Sequence, residues 1–213
     1  SHMTAQICDR IEYSDTSYNV AGVNGSGLFN PEEHGVTPMS FSTACWRGYH
    51  CDYAVANNTL RLRAVYLGLE MKDAQKAKLG KGPLLYGNVP SRYKIRGESV
   101  NVRTGEVSHE WDSSDYRCDG LDELVPFTGG LLIGDQFIRE LYVHMGFHPA
   151  YKYKTVHELV FEAGHLAKAT DCSDKMAEFR AMLKDRELQP DPRTDRKEVI
   201  AWIEQCFSLD YHM

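Results

Sequence analysis

The sequence predicts an α+β protein, mainly antiparallel β in the form of a half-closed barrel or a sandwich, with two amphipathic helices at its C-terminal end. Two observations lead there. Four pairs of strand-like runs are each separated by residues that tolerate a positive φ, and past residue 170 the apolar spacing changes from two to three or four. The implied organisation is a β-rich domain over residues 4–170 with a helical appendage, 171–213, packed on it.

The elements follow in chain order. Residues 17–40 hold Asn19, Gly22, Asn24, Gly25, Gly27, Asn30, Pro31, Gly35 and Pro38 with few apolar residues between them, which reads as a long loop, either a binding lid or a mobile segment. Tyr49 to Val55 and Leu60 to Leu69 flank Asn57-Asn58 and read as a hairpin with Leu60, Leu62 and Val65 facing the core. A weaker helix is expected from Met71 to Leu79, stopped by Gly80. A second, more polar and peripheral hairpin runs from Ser99 to Trp111 around Thr104-Gly105. A third is expected from Phe127 to His144 around Gly134-Asp135, and a fourth from His157 to Ala169 around Ala163-Gly164. Ser173 opens a helix with Met176, Phe179, Met182 and Leu183 on one face, and Asp195 with Glu198 forms a capping box ahead of Val199, Trp202, Ile203 and Cys206.

Composition narrows the function classes. The chain has 213 residues, 42% hydrophobic and 25% charged, with a net charge of -6. Its pI is about 5.8 and its mean hydropathy -0.45. No apolar run is long enough to span a bilayer, and Ser1-His2-Met3 reads as a tag-cleavage remnant ahead of a native methionine with no export signal behind it. The six cysteines are therefore expected as thiols in a cytoplasmic protein. The acidic balance disfavours nucleic acid as partner and suits association with a basic protein.

Chemistry concentrates in two stretches. Between Thr43 and Cys51 the chain carries Cys45, Trp46, Arg47, Tyr49, His50 and Cys51 around Gly48, the residue types of a recognition surface or a pocket wall. Cys45 beside Arg47 and His50 could be held as a thiolate nucleophile, although a buried inert thiol is the commoner fate. The second stretch, Tyr142 to His148 with Tyr151 and Tyr153, places Tyr142 and His144 on one face if it is a strand, and His144 could then act as acid, base or donor. His144 and His148 are four apart, but Gly146 argues against the helix a zinc pair needs, and the cysteines form no knuckle, so no metal and no cofactor is expected. Glu106, Glu110, Asp112, Asp115, Asp119, Asp122 and Glu123 read as a solvated acidic run or a patch for a basic partner. Gly25-Ser26-Gly27 and Gly129-Gly130 lack the residues of a phosphate loop.

The blocks Ser42-Thr43-Ala44-Cys45-Trp46-Arg47-Gly48-Tyr49, Tyr142-Val143-His144-Met145-Gly146-Phe147 and Phe161-Glu162-Ala163-Gly164-His165-Leu166 together resemble a group of bacterial proteins that carry similar blocks in the same order, a group without an established activity. The resemblance covers roughly residues 40–170 and implies a bacterial, cytosolic, β-rich protein. The leading expectation is a non-catalytic interaction protein of the immunity or antitoxin kind that neutralises a partner protein, with Trp46, Arg47, Tyr49, His50, Tyr142 and His148 as binding residues. The alternatives are a small hydrolase or transferase acting on a nucleotide-like or sugar-like ligand through Cys45 or His144, and a small-molecule sensor using the same residues without turnover.

Overall fold

In the computed structural model, residues 5–144, 146–185, 201–202 and 205–211 are described. The strands are β1 (Arg10–Tyr13), β2 (Thr16–Ser26), β3 (Tyr49–Ala56), β4 (Thr59–Leu67), β5 (Lys94–Val100), β6 (Val107–Asp112), β7 (Tyr116–Cys118), β8 (Glu123–Leu124), β9 (Thr128–Phe137), β10 (Tyr153–Glu162) and β11 (His165–Asp171). Two helices, α1 (Met71–Lys78) and α2 (Ser173–Asp185), accompany them. The chain divides into two compact units, the first made of 1–28, 52–62 and 123–213 and the second of 29–51 and 63–122, with the boundaries falling inside β3 and β4.

The first unit is a closed seven-stranded barrel in the order β11-β10-β9-β2-β1-β3-β4, with β4 returning to β11 at Thr59 and His165. Neighbours are antiparallel except β1 and β3, which run parallel from Arg10 beside Asp52 to Glu12 beside Ala54. The half-closed barrel or sandwich expected from the sequence is thus a fully closed one. Backbone bonds complete the seam: Leu60 N–H donates to the Gly164 carbonyl at 2.8 Å and Leu166 N–H to the Asn58 carbonyl at 2.9 Å. The Asn58 side-chain amide adds a bond to the Leu166 carbonyl at 3.1 Å.

Local chemistry explains the hairpins that were expected. Asn57 and Asn58 adopt φ of 49° and 62° between β3 and β4, and Ala163 and Gly164 adopt 46° and 85° between β10 and β11, the left-handed pairs that match strand twist. Leu60 and Leu62 are fully buried, as the alternation requires, and Val65 is fully buried too although alternation turns it to the opposite face of β4. The polar β5–β6 pair forms a two-stranded sheet of its own in the second unit, exposed along most of its length. Helix α1 ends at Leu79 with Gly80 at φ 65°.

Two expectations fail. No turn forms at Gly134-Asp135, since β9 runs unbroken from Thr128 to Phe137. Gly134 is glycine because the Tyr153 ring lies against it, and a Cβ there would sit 2.5 Å from that ring. The chain reaches β10 instead through short 3-10 turns at Arg139–Leu141 and Ala150–Lys152, leaving Tyr142 and His144 outside any strand. Nor are residues 17–40 a loop throughout. Thr16–Ser26 is a full barrel strand that pairs with both β1 and β9, entered by a Ser14-Asp15 turn with φ of 49° and 61°. Gly22 lies at an irregularity in the β2–β9 register and against the Leu132 side chain, so here a glycine marks close packing in a strand.

Alternation sends Leu131, Ile133, Leu159 and Phe161 to one face of β9 and β10 and Leu132 and Val156 to the other, all of them fully or nearly fully buried. Helix α2 opens at Ser173, where the expected helix begins, and buries Met176 and Phe179. Leu132, Val156, Cys172, Met176, Cys206 and Tyr211 form one cluster on the barrel's outer side. The second C-terminal helix expected from the Asp195 capping box lies outside the described residues, apart from the helical pair Ala201 and Trp202.

In the second unit β7 pairs with the end of β4, bringing Cys118 beside Val65, and Val36, Cys45, Cys51, Leu67 and Leu85 are buried. All six cysteines are free thiols. Among the described residues no helix is long and apolar enough to cross a membrane.

Leu131→Ala is expected to cost about 2–5 kcal/mol of unfolding free energy, read from denaturant midpoints, because the barrel interior cannot collapse onto the void. Val102→Ala, on an exposed turn, should stay within about 0.5 kcal/mol of the parent.

Candidate functional site

The second unit carries the first of the two stretches singled out by sequence. Cys45 N–H donates to the Ser42 carbonyl at 3.0 Å and Gly48 N–H to the Cys45 carbonyl at 3.2 Å, folding residues 42–48 into two consecutive tight turns. Gly48 closes them at φ 78°, where a Cβ would lie 2.8 Å from the Met39 backbone. Its carbonyl accepts from Gly68 N–H at 2.9 Å, and Met39 N–H donates to the Gly68 carbonyl at 3.1 Å, so three backbone segments cross here with no room for a side chain. This crossing decides which way the residues point. Cys45 turns inward and is 1% exposed, whereas Trp46 turns outward and is 52% exposed.

Arg47 and Tyr49 continue the surface. The Arg47 Nε donates to the Tyr49 carbonyl at 2.6 Å and its guanidinium lies 4.5 Å over the Tyr49 ring. Tyr49 meets Phe29 edge-on at 6.3 Å, Phe29 stacks on His34 at 5.1 Å, and His34 reaches Tyr86 at 4.7 Å. A cation and four rings therefore form one connected series: Arg47, Tyr49, Phe29, His34, Tyr86. Tyr86 sits at φ 49° in a two-residue turn with Gly87, closed by Leu85 and Asn88 exchanging backbone bonds at 2.9 Å. A tyrosine in the left-handed region is uncommon and costs about 1–3 kcal/mol, offset here by the Asn88 amide on the Tyr86 carbonyl and by ring contact. Phe29, His34 and Tyr86 escaped the sequence reading. The Tyr86-Gly87-Asn88 turn signal was the one local clue to the last of them.

His50 belongs to a different group in the same unit. Its ring stacks on Tyr66 at 4.6 Å with 9° between planes, and Tyr66 meets Tyr93 at 5.9 Å. Tyr93 donates its hydroxyl to the Asp115 carboxylate at 3.1 Å, under the Arg117 guanidinium 4.8 Å from its ring. Asp115 is 4% exposed. Ser113 links the two, accepting from Tyr93 N–H at 3.1 Å and donating to the Asp115 carbonyl at 2.7 Å. Burial, then the Asp115 charge and hydrogen bond, push the Tyr93 phenol up to about 12. The remaining acidic run is laced with cations: Arg63–Asp122, Lys94–Asp112, Arg96–Glu110 and Arg117–Asp119 all lie within 3.6 Å.

The second stretch lies in the first unit. Although Tyr142 is not in a strand, its ring meets both His144 at 5.0 Å and His148 at 5.2 Å. Phe137 packs on His148 at 4.7 Å and on Tyr153 at 5.4 Å. The Gly146 carbonyl accepts from Gln6 N–H at 2.9 Å, pinning the segment to the N-terminal stretch. Both His148 ring nitrogens are buried without a hydrogen-bond partner, and burial followed by the Lys152 charge holds its pKa below the ordinary histidine value. Lys152 is 5% exposed, and burial lowers its pKa too. No periodicity or motif marks Lys152 in the sequence; it is a buried cation created by the 3-10 turn that carries it.

The two stretches thus fall in different units, Trp46 to His50 in the second and Tyr142 to His148 in the first. Among the described residues no group of three or more His, Cys, Asp or Glu side chains is placed to hold a metal ion. Comparison with family models, with curated proteins and with solved structures gives no match to this chain.

Two titrations follow. Because the folded state raises the Tyr93 pKa above 10.0, the stability tied to its protonated phenol is present below pH 10 and is lost as pH rises through about 12. Burial also holds Tyr153 at about 12 and raises Tyr211, so absorbance near 295 nm should show several tyrosines titrating late, and Asp115→Asn should bring down only the Tyr93 component. His148 has the opposite sign. Its folded pKa lies below 6.5, so its contribution is full above pH 6.5 and fades as pH falls below that value. The acid-side decline in thermal midpoint should shrink in His148→Phe.

Proposed function

We propose that this protein is a non-catalytic binding protein that recognises a partner protein through the Trp46, Arg47 and Tyr49 surface of its second unit. The observation that carries the reading is Trp46 itself, a large aromatic residue held 52% exposed by a turn whose backbone is fixed by the Gly48, Gly68 and Met39 crossing. An aromatic anchor whose backbone is preorganised binds without a large ordering cost. Met39, Leu84 and Tyr86, all in the same unit, add further exposed apolar surface. Cys45, the best nucleophile candidate, turns inward at the same turn, which supports binding over covalent catalysis.

The partner's surface is basic in this reading, because a net charge of -6 steers a cationic protein toward the chain and repels an acidic one. An immunity-type or antitoxin-type role is the biological form this takes: an acidic protein that occludes a basic effector by surface complementarity.

The test is the affinity of variants for the native partner, once isolated, by titration calorimetry. Trp46→Ala should raise Kd by about 30-fold or more, the scale of an interface hot spot, and Arg47→Ala should act in the same direction. Val102→Ala should leave it unchanged. Parent-like affinity in both the Trp46 and Arg47 variants, with folding intact, would remove this surface from the interaction.

A further inference from the structure

A surface helix ordinarily turns its large apolar residues inward and its small or polar ones to water. Helix α1 in the second unit does the reverse. Its half-buried positions are Asp73, Ala74 and Ala77 and none of its residues is fully buried, whereas Met71 and Leu79 at its two ends are 79% and 68% exposed. Helical spacing puts Lys72, Gln75 and Lys78 on that same outward side. Eight residues that bury so little are too few to hold a helix by themselves, so the flanking backbone fixes it. At its start Leu69 is bridged to Pro38, and Ala74 N–H donates to the Glu70 carbonyl at 2.8 Å. At its end Gly80 takes φ 65°, and the Lys81 N–H donates back to the Lys76 carbonyl at 2.9 Å, which holds Lys81 beside the last turn. Against Lys72, Lys76, Lys78 and Lys81 stand only Glu70 and Asp73, and Asp73 is paired with Lys76 at 3.1 Å. The local balance is therefore positive in a chain whose net charge is -6.

We infer that the outward face of α1, with Lys81, is a contact for the surface of an anionic lipid bilayer, which takes the lysine ammonium groups at its headgroups and the Met71 and Leu79 side chains just beneath them. The composition of the face selects this occupant. Protein interfaces are enriched in aromatic residues and arginine and depleted in lysine, and this face carries neither a ring nor a guanidinium. A nucleic acid would answer the lysines and leave Met71 and Leu79 in water. A bilayer with anionic headgroups answers both, because charge and hydrocarbon lie one above the other and lysine stems reach from the apolar level back to the headgroups. The acidity of the rest of the chain does not oppose this. At physiological ionic strength, exposed charges more than about 8 Å apart are largely screened, so the balance at the helix decides. With two apolar side chains and a small positive excess, the contact is superficial and reversible. It does not rest on the Trp46 reading, since its residues and its ligand are different.

The experiment is flotation of the full chain with vesicles of phosphatidylcholine alone and of phosphatidylcholine with one-third phosphatidylserine, at low and at physiological salt. The chain should float with the phosphatidylserine vesicles at low salt, release in part as salt rises, and stay behind when the vesicles are phosphatidylcholine alone. Lys72→Gln combined with Lys78→Gln should weaken partitioning about thirtyfold, and Met71→Gln combined with Leu79→Gln about tenfold or more. Binding to neither vesicle at low salt, equal binding to both, or parent-like partitioning in either double variant would each overturn the assignment. So would tighter binding to a DNA duplex than to the anionic vesicles, which would make the face a site for polyanions at large. The substituted positions are exposed and glutamine is a good helix former, and circular dichroism checks that each variant keeps its fold. Should one double variant unfold, the other decides: weakened partitioning supports the contact, and parent-like partitioning removes it.

Discussion

Closure of the barrel between β4 and β11 is the constraint on which the first unit rests. An open sheet of seven strands would present two rows of unpaired backbone groups, and here those rows satisfy each other at Thr59 and His165. The seam is made where two left-handed turns meet, Asn57-Asn58 and Ala163-Gly164, so the residues that let the hairpins reverse also supply the bonds that shut the ring. With the ring shut, Leu131, Ile133, Leu159 and Phe161 fill the inside. The opposite face of β9 and β10 is then free to take α2 and the 205–211 segment.

In the second unit the governing feature is smaller, a backbone crossing among Met39, Gly48 and Gly68 that admits no side chain. A tight turn seated on such a crossing has little freedom to relax, so the direction of each residue on it is set by geometry and not by its own hydrophobicity. That is how a tryptophan comes to face solvent while the cysteine before it is buried. The strained Tyr86 turn has the same logic: local backbone energy is given up, and a ring is placed against His34. Both features fix the position of an aromatic side chain through backbone geometry.

The treatment of buried charge in the first unit shows a useful contrast. Glu158 is nearly fully enclosed and accepts from both the backbone N–H and the hydroxyl of Ser208, so its burial is answered within the chain. His148 is treated differently, since both of its ring nitrogens are buried without a hydrogen-bond partner.

Turns built from residues that accept a positive φ were legible in the sequence, because their chemistry is local: Asn57-Asn58, Ala163-Gly164 and the helix-ending Gly80 all act as their residue types predict. So were the apolar faces of β4 and α2, since alternation and helical spacing are properties of a short stretch. The density of aromatic and cationic residues at 45–50 was likewise visible as a local feature. What a short stretch could not reveal was the purpose of a glycine when its neighbour is distant in sequence. Gly134 reads as a turn and serves to seat Tyr153, and Gly22 reads as loop and serves to admit Leu132. Closure of the barrel, the inward path of Cys45, the Phe29–His34–Tyr86 rings and the enclosure of Lys152 all depend on segments dozens of residues apart. Only the assembled chain decides them, because burial and pairing are properties of what arrives on the other side.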